Sequence, residues 1–303
     1  MANEVQALAN ALRQRFGRHE IVLISLVRAG VPLGVLLKRC LSQTQSCSHY
    51  GLSIIRDRGI DYAALEYIIQ KHGAQNIVFV DGWTGKGAIS KELTTSLKDY
   101  PQLFDEGDPL PRLVTLTDLG GCAWLCSSQD DWLIPSGILG SVVSGLISRS
   151  ILLEDVTPHI ARQHYLETDY WHGCIEYHDL KPHDISQQFI EDIWALIKAH
   201  PINDIAIWTP EDRQLQNQSC LKTIDYLQNE YQISNVNRIK PSIAEATRAV
   251  LRRVPERILL KDANNENTRL LQHFAKQHQV PIDILGDSLG PYHAVTIIQK
   301  ISG

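Results

Sequence analysis

The apolar positions of this chain follow two rhythms. Short continuous apolar runs recur at Ile21–Leu26, Leu52–Ile55, Ile77–Val80 and Leu113–Leu116. Runs that are apolar on both faces and rich in β-branched residues suit strands covered on both sides of a parallel sheet. Between them, residues 31–41, 60–72 and 87–98 carry helical spacing. The alternation predicts right-handed crossovers and an open α/β sheet flanked by helices. In such sheets ligands lie beyond the carboxyl ends of the strands, so the residues just after each strand matter most. Residues 101–112 (PQLFDEGDPLPR) read as a surface loop, and 186–199 as a helix that ends before His200-Pro201. Leu215 to Tyr231 looks helical and is taken as a connector. From Pro241 a second pattern begins. It comprises a helix to about Arg253, a strand at Ile258–Leu260, a helix over 266–278, and strands at Ile282–Leu285 and Ala294–Ile298. The expected division is a first domain over 1–205, a connector over 206–234 and a small α/β domain over 235–303.

Composition narrows the class. The chain has 303 residues, 44% of them apolar and 21% charged, which is globular rather than disordered. No run approaches the roughly 18 apolar residues of a membrane span. Met1 to Gly17 is polar and amphipathic, without a secretory h-region, so a cytoplasmic location and no membrane partner are expected. Six cysteines, at positions 40, 47, 122, 126, 174 and 220, form no CxxC pair. They read as free thiols in a reducing compartment. The net charge is −5, but residues 231–303 hold 10 Lys and Arg against 6 Asp and Glu. A basic module joined to an acidic one is the expectation.

The strand at 77–80 runs into Asp81-Gly82-Trp83-Thr84-Gly85-Lys86-Gly87-Ala88 and then a helix. Glycines that let backbone amides approach an anion, a helix N-terminus, a hydroxyl and an ammonium together suit phosphate capture. The segment is not a Walker A loop, because Val80 and Gly87 stand where that pattern needs Gly and Ser/Thr. After the strand at 21–26, Ser25, Arg28, Ala29 and Gly30 form a second candidate anion turn, with Pro32 in the first turn of the next helix. After 52–55, Arg56, Asp57 and Arg58 suit a charged mobile loop over a phosphorylated ligand, or a salt-bridged surface turn.

These loops resemble those of type I phosphoribosyltransferases. The resemblance implies an open parallel sheet that binds phosphoribosyl pyrophosphate (PRPP) or a related ribose phosphate, with Mg2+ as cofactor. It implies pyrophosphate at Ser25, Arg28, Ala29 and Gly30, and the ribose 5-phosphate at Asp81, Gly82, Trp83, Thr84, Gly85, Lys86, Gly87 and Ala88. Asp81 and Arg28 would be the catalytic pair, a nucleobase-like acceptor would take the phosphoribosyl group, and no resident metal ligands are expected. Gly82 stands where that family has a second acid. A closer resemblance, over roughly 20–190, is to the PRTase-like StiP family of bacterial tellurite-resistance and stress operons. It is carried by SLVRAGVPLGVLLKR (25–39), HYGLSIIRDRGID (49–61), FVDGWTGKGAI (79–89) and WLIPSGILGSVVSGLISRS (132–150).

That family's label includes a cysteine protease. The cluster Tyr170-Trp171-His172-Gly173-Cys174 with His178-Asp179 offers a Cys–His nucleophile pair, and Cys122 and Cys126 are further candidates. The Ser/Gly-rich stretch 139–149 reads either as close packing or as small residues beside a ligand, with Arg149 reaching an anion. Residues from about 235 to 301 resemble a Pelota-like RNA-binding domain, related to the ribosomal L7Ae group. There Arg248, Arg252 and Lys261 are expected at phosphates and Asn267 at a base edge. The expected function is phosphoribosyl transfer with pyrophosphate exchange. The alternatives are a cysteine protease or a non-catalytic PRPP- and RNA-binding sensor. RNA and a second copy of the chain stand as candidate partners.

Overall fold

The computed structural model describes residues 1–55, 57–139, 178–199 and 208–299. The first sheet is built from β1 (Ile21–Val27), β2 (Cys47–Ile55), β3 (Gly59–Ile60), β4 (Ile77–Val80), β5 (Trp83–Thr84), β6 (Leu113–Asp118) and β7 (Leu125–Ser128). Its order is β3-β2-β1-β4-β6-β5, with β7 also on β6, and every pairing is parallel except β2–β3. Helices α1 (Ala2–Phe16), α2 (Val31–Leu41), α3 (Tyr62–His72), α4 (Ala88–Ser96), α5 (Pro135–Leu139) and α6 (Ser186–Ala199) accompany it.

Strand periodicity explains why these runs are apolar throughout. Ile21 and Leu23 of β1, with Val78 and Val80 of β4, join a core with Leu8 and Leu12 of α1, Leu36 of α2 and Ile193 of α6. The alternate residues Val22, Ile24, Ile77 and Phe79 point the other way, into a core with Leu65 of α3 and Leu93 of α4. Successive strand side chains point to opposite faces, and helices cover both faces here. Truncating a buried leucine in either core would cost about 2–5 kcal/mol. From β1 the chain moves one way to β2 and the other way to β4. Strand order therefore reverses between β1 and β4, and their loops open a crevice at that switch point.

A smaller sheet follows, made from β8 (Ile239–Pro241), β9 (Pro255–Leu260), β10 (Ile282–Ile284) and β11 (Ala294–Ile298) in the order β10-β9-β11-β8. Helices α8 (Ile243–Arg252) and α9 (Arg269–Gln277) cover one face through Ile243, Val250, Leu271 and Ala275. The segment read as a connector contains α7 (Pro210–Glu230), which begins with a Thr209/Asp212 capping box. It puts Cys220, Ile224 and Leu227 against Leu259, Tyr292 and Val295 on the opposite face. The architecture is thus a mostly parallel sheet flanked by helices, then a small C-terminal α/β unit, as the sequence pattern predicts. Among the described residues no helix is long and apolar enough to cross a membrane.

The two units are tied by buried polar contacts. Asp131 accepts the backbone amides of Ile243 and His293, each at 2.8 Å. Arg213 of α7 pairs with Asp108 at 2.7 Å. Asn217 Nδ2 donates to the Gly120 carbonyl at 2.7 Å.

Candidate functional site

Backbone proximity shapes the first turn. A Cβ at Gly30 would lie 2.0 Å from the Val80 carbonyl, so only glycine lets the β1–α2 loop pass the end of β4. Ser25 is buried. Its Oγ donates to the Gly30 carbonyl at 3.0 Å and lies 2.8 Å from His49 Nε2. Burial, helped by the Lys38 charge, pushes the His49 pKa down to about 4. The neutral imidazole therefore donates to Ser25, and the pair fixes the turn. Arg28 and Ala29 lie at the crevice wall.

In the second loop, Asp81 is buried and its Oδ1 accepts the Gly82 amide at 2.8 Å. Burial pushes its pKa up to about 7. The Gly82 amide and the Arg248 charge oppose that rise, and Glu245 adds to it. Trp83 is buried, and a Cβ at Gly137 would lie 3.1 Å from its ring. The indole packs under α5 and beside Ala244, and it also lines the cleft. The Thr84 hydroxyl donates to Asp118 and accepts the Gly120 amide at 3.0 Å. Asp118 also accepts the amides of Cys122 at 3.0 Å and Ala123 at 2.7 Å, and Trp208 Nε1 at 3.3 Å. Burial raises its pKa against the pull of these donors.

Lys86 Nζ donates to the carbonyls of Val236 at 2.6 Å and Ile239 at 2.8 Å, which pins the loop to the second unit. Tyr292 donates its hydroxyl to the Gly85 carbonyl at 2.9 Å. Gly87 takes the left-handed conformation, φ 78°, that starts α4. Gly82 and Ala88 complete the loop. The arrangement ties the loop to the second unit.

Between the loops and the second unit lies a cleft of about 590 Å³. One wall carries Arg28, Asp81 and the 83–90 segment, and the other carries Lys240, Glu245, Arg248, Arg252 and Arg253. Arg248 pairs with Glu245 at 3.4 Å. Two of the four residues expected at RNA, Arg248 and Arg252, therefore face the candidate phosphate loops across one cavity. The other two lie outside its lining. Lys261 Nζ donates to the Gly290 carbonyl at 2.9 Å, and the Asn267 side-chain oxygen accepts the Leu133 amide at 3.4 Å. Asp57 and Arg58 line an adjoining groove, where the Asp57 amide donates to Glu92 at 2.9 Å. Arg56, residues 140–149 and Tyr170–Cys174 lie outside the described residues.

Magnesium is bound through one or two carboxylates together with waters and ligand phosphates. Asp81 and Glu245 are the carboxylates in the cleft lining. Among the described residues no three His, Cys, Asp or Glu side chains gather as a metal cluster. Five thiols are described, and none is activated. Burial pushes Cys40 up to about 11 and Cys47 up to about 12. Burial also raises Cys122, Cys126 and Cys220. Sequence reasoning missed Asp118 and Asp131, which organise the site's scaffold. Their only signal was an acid at or shortly after a strand end.

Residues 1–194 match the family model described as "Tellurite-like stress resistance cysteine protease StiP", and residues 218–300 match the "PELOTA RNA binding domain". A curated relative from Acinetobacter baylyi, named "Cysteine protease StiP", is 54% identical over 303 residues, covering 99% of this chain and 78% of its own. Among solved structures, a Bacillus anthracis hypoxanthine-guanine phosphoribosyltransferase is 16% identical, with TM-score 0.30 over 44% of this chain and 79% of its own. A Trypanosoma cruzi hypoxanthine phosphoribosyltransferase is 10% identical, with TM-score 0.31 over 44% of this chain and 70% of its own. Likeness that slight carries no activity across. The expectation of a phosphoribosyltransferase is corrected by the curated relative, which matches 99% of this chain and is named a protease. With a family model over 1–194 and a relative 54% identical over 99% of this chain, this chain belongs to the StiP family of tellurite-like stress resistance proteins.

Proposed function

We propose that this chain is a cysteine protease whose nucleophile is Cys174. The observation that carries the reading is the 54% identity, over 99% of this chain, with a relative named a cysteine protease. Chemistry then narrows the residue. The thiolate attacks, and it needs a lowered pKa from a nearby cation, a histidine or a helix N-terminus. Burial moves all five described thiols the other way, so at neutral pH they stay protonated. The sixth, Cys174, has His172 two residues before it and His178 four residues after it. A Cys–His pair in which the imidazole takes the thiol proton is the simplest nucleophile this composition provides.

The test is hydrolysis of a fluorescein-labelled unfolded casein by the full chain, with iodoacetamide labelling mapped by peptide mass. Cys174→Ser should abolish hydrolysis and remove the fast-labelling site. Cys122→Ser should leave the rate within about twofold. Hydrolysis that persists in Cys174→Ser, or that disappears with one of the buried thiols instead, would overturn the assignment.

A further inference from the structure

We propose that the interdomain cleft and the groove beside it form one continuous path for the backbone of single-stranded RNA, read by both units together. The two cavities adjoin, because Lys86 and Ala88 line both. The groove, about 710 Å³, runs between α4 and α7. Its cations Arg58, Lys91 and Lys98 come from the first unit, whereas Lys240, Arg248, Arg252 and Arg253 of the cleft come from the second.

Charge complementarity points to a polyanion. Along the combined path nine Lys and Arg side chains face four Asp and Glu, in a chain whose net charge is −5. A basic stripe on an acidic protein is the electrostatic footprint of a phosphate backbone. The size points to a single strand. Each cavity is on the scale that encloses one small molecule, which leaves room for a nucleotide or two but none for a duplex. Apolar surface for bases is also present. Tyr62, 42% exposed, and Leu221, 53% exposed, line the groove. Ile54 and Pro241 line the cleft. Alternating phosphate contacts with aromatic and apolar platforms is how single strands are held without base-specific readout.

The match of 218–300 to an RNA-binding domain accounts for one wall. The new element is the other wall, on α4 and after β2, which lies outside that match. Lys86, bonded to two carbonyls of the second unit, holds the walls together at the point where the cavities meet.

The experiment is fluorescence anisotropy of a labelled 20-nucleotide oligo(U) with the full chain across a salt series. Duplex RNA of the same length and inorganic tripolyphosphate serve as comparison ligands. The parent protein should bind oligo(U) more tightly than the duplex, with affinity falling steeply as salt rises. Lys91→Ala with Lys98→Ala, both exposed, should weaken binding about tenfold and flatten the log–log salt slope by about 1.4. Arg252→Ala with Arg253→Ala should do the same. Circular dichroism melts identical to the parent would assign those losses to contact rather than folding. Unchanged binding in the lysine variant would confine RNA to the second unit and overturn the shared path. Equal affinity for the duplex, or binding of tripolyphosphate without oligo(U), would overturn it as well. The proposal is independent of the protease reading, since Cys174→Ser should leave oligo(U) affinity unchanged.

Discussion

The loop at 81–88 and the helix α8 face each other across one cleft, yet they use their polar groups in opposite directions. In the loop, Thr84 donates to the buried Asp118, Lys86 to two carbonyls, and the Gly85 carbonyl accepts Tyr292. On α8, Arg248 and Arg252 are half-buried, with Arg253 exposed beyond them, and all three remain part of the cavity wall. Burial makes the difference. A polar group taken out of water must find a partner in the protein, whereas Arg248 at the rim answers Glu245 on its own helix and stays in the cleft wall. Glycines and hydroxyls in a strand-end loop therefore describe what a backbone can do. Neighbouring elements decide whether the donors turn toward a ligand or toward the fold.

The comparison breaks most visibly at Asp118. Asp118→Ala would orphan the Thr84 hydroxyl, two amides and the Trp208 indole in a buried place. The expected loss is about 3–5 kcal/mol in urea unfolding, and Asp118→Asn should recover part of it. A loss below about 1 kcal/mol would mean the loop does not depend on this acceptor.

Next in size is Lys86→Met, which keeps the stem and removes the ammonium from the Val236 and Ile239 carbonyls. About 2 kcal/mol should be lost. Arg252→Ala, the contrasting cation across the cleft, should change stability by no more than about 0.5 kcal/mol. Equal effects at the two positions would erase the distinction between clamp and wall.

A further effect concerns pH. Asp131 is raised from 3.8 to about 7 by burial, although the amides of Ile243, His293 and Ala294 pull it down. Its folded pKa lies above its unfolded value, so the native state binds the extra proton. That contribution to stability is fully present below about pH 4 and is lost as pH rises through about 7. Asp81, also raised to about 7, acts with the same sign. Asp131→Asn should therefore remove one of at least three contributions of this sign, with Asp81 and Asp118 the others, at most about 1.4 kcal/mol per pH unit between pH 4 and 7. Unfolding free energies measured at several pH values check this. An unchanged slope in the variant would show that Asp131 keeps its charge when buried.

The five described thiols teach the same lesson from another side. Position 122 lies just past a strand end beside an acid, where a reactive cysteine is easy to imagine. The acid there raises the thiol's pKa further instead of activating it. Spacing identified candidates but gave no sign of the local field.

Much of the scaffold was determined by the sequence itself. The runs at Ile77–Val80 and Ala294–Ile298 and the helices over 31–41 and 186–199 coincide with the elements found. In each, apolar period, Pro32 in a first turn or the Pro201 stop acts within a few residues, so local chemistry suffices. The two-residue strands β3 and β5, and β7, were invisible, because so short a stretch pairs only when a neighbour is already placed. α7 read as a connector because its apolar residues serve two units at once and leave a weak stripe. Tertiary structure alone decided that Arg248 and Arg252 meet the 81–88 loop, that Lys261 and Asn267 do not, and that Asp118 and Asp131 hold the scaffold. Those outcomes depend on long-range contacts and on what burial does to a charge, which no local pattern encodes.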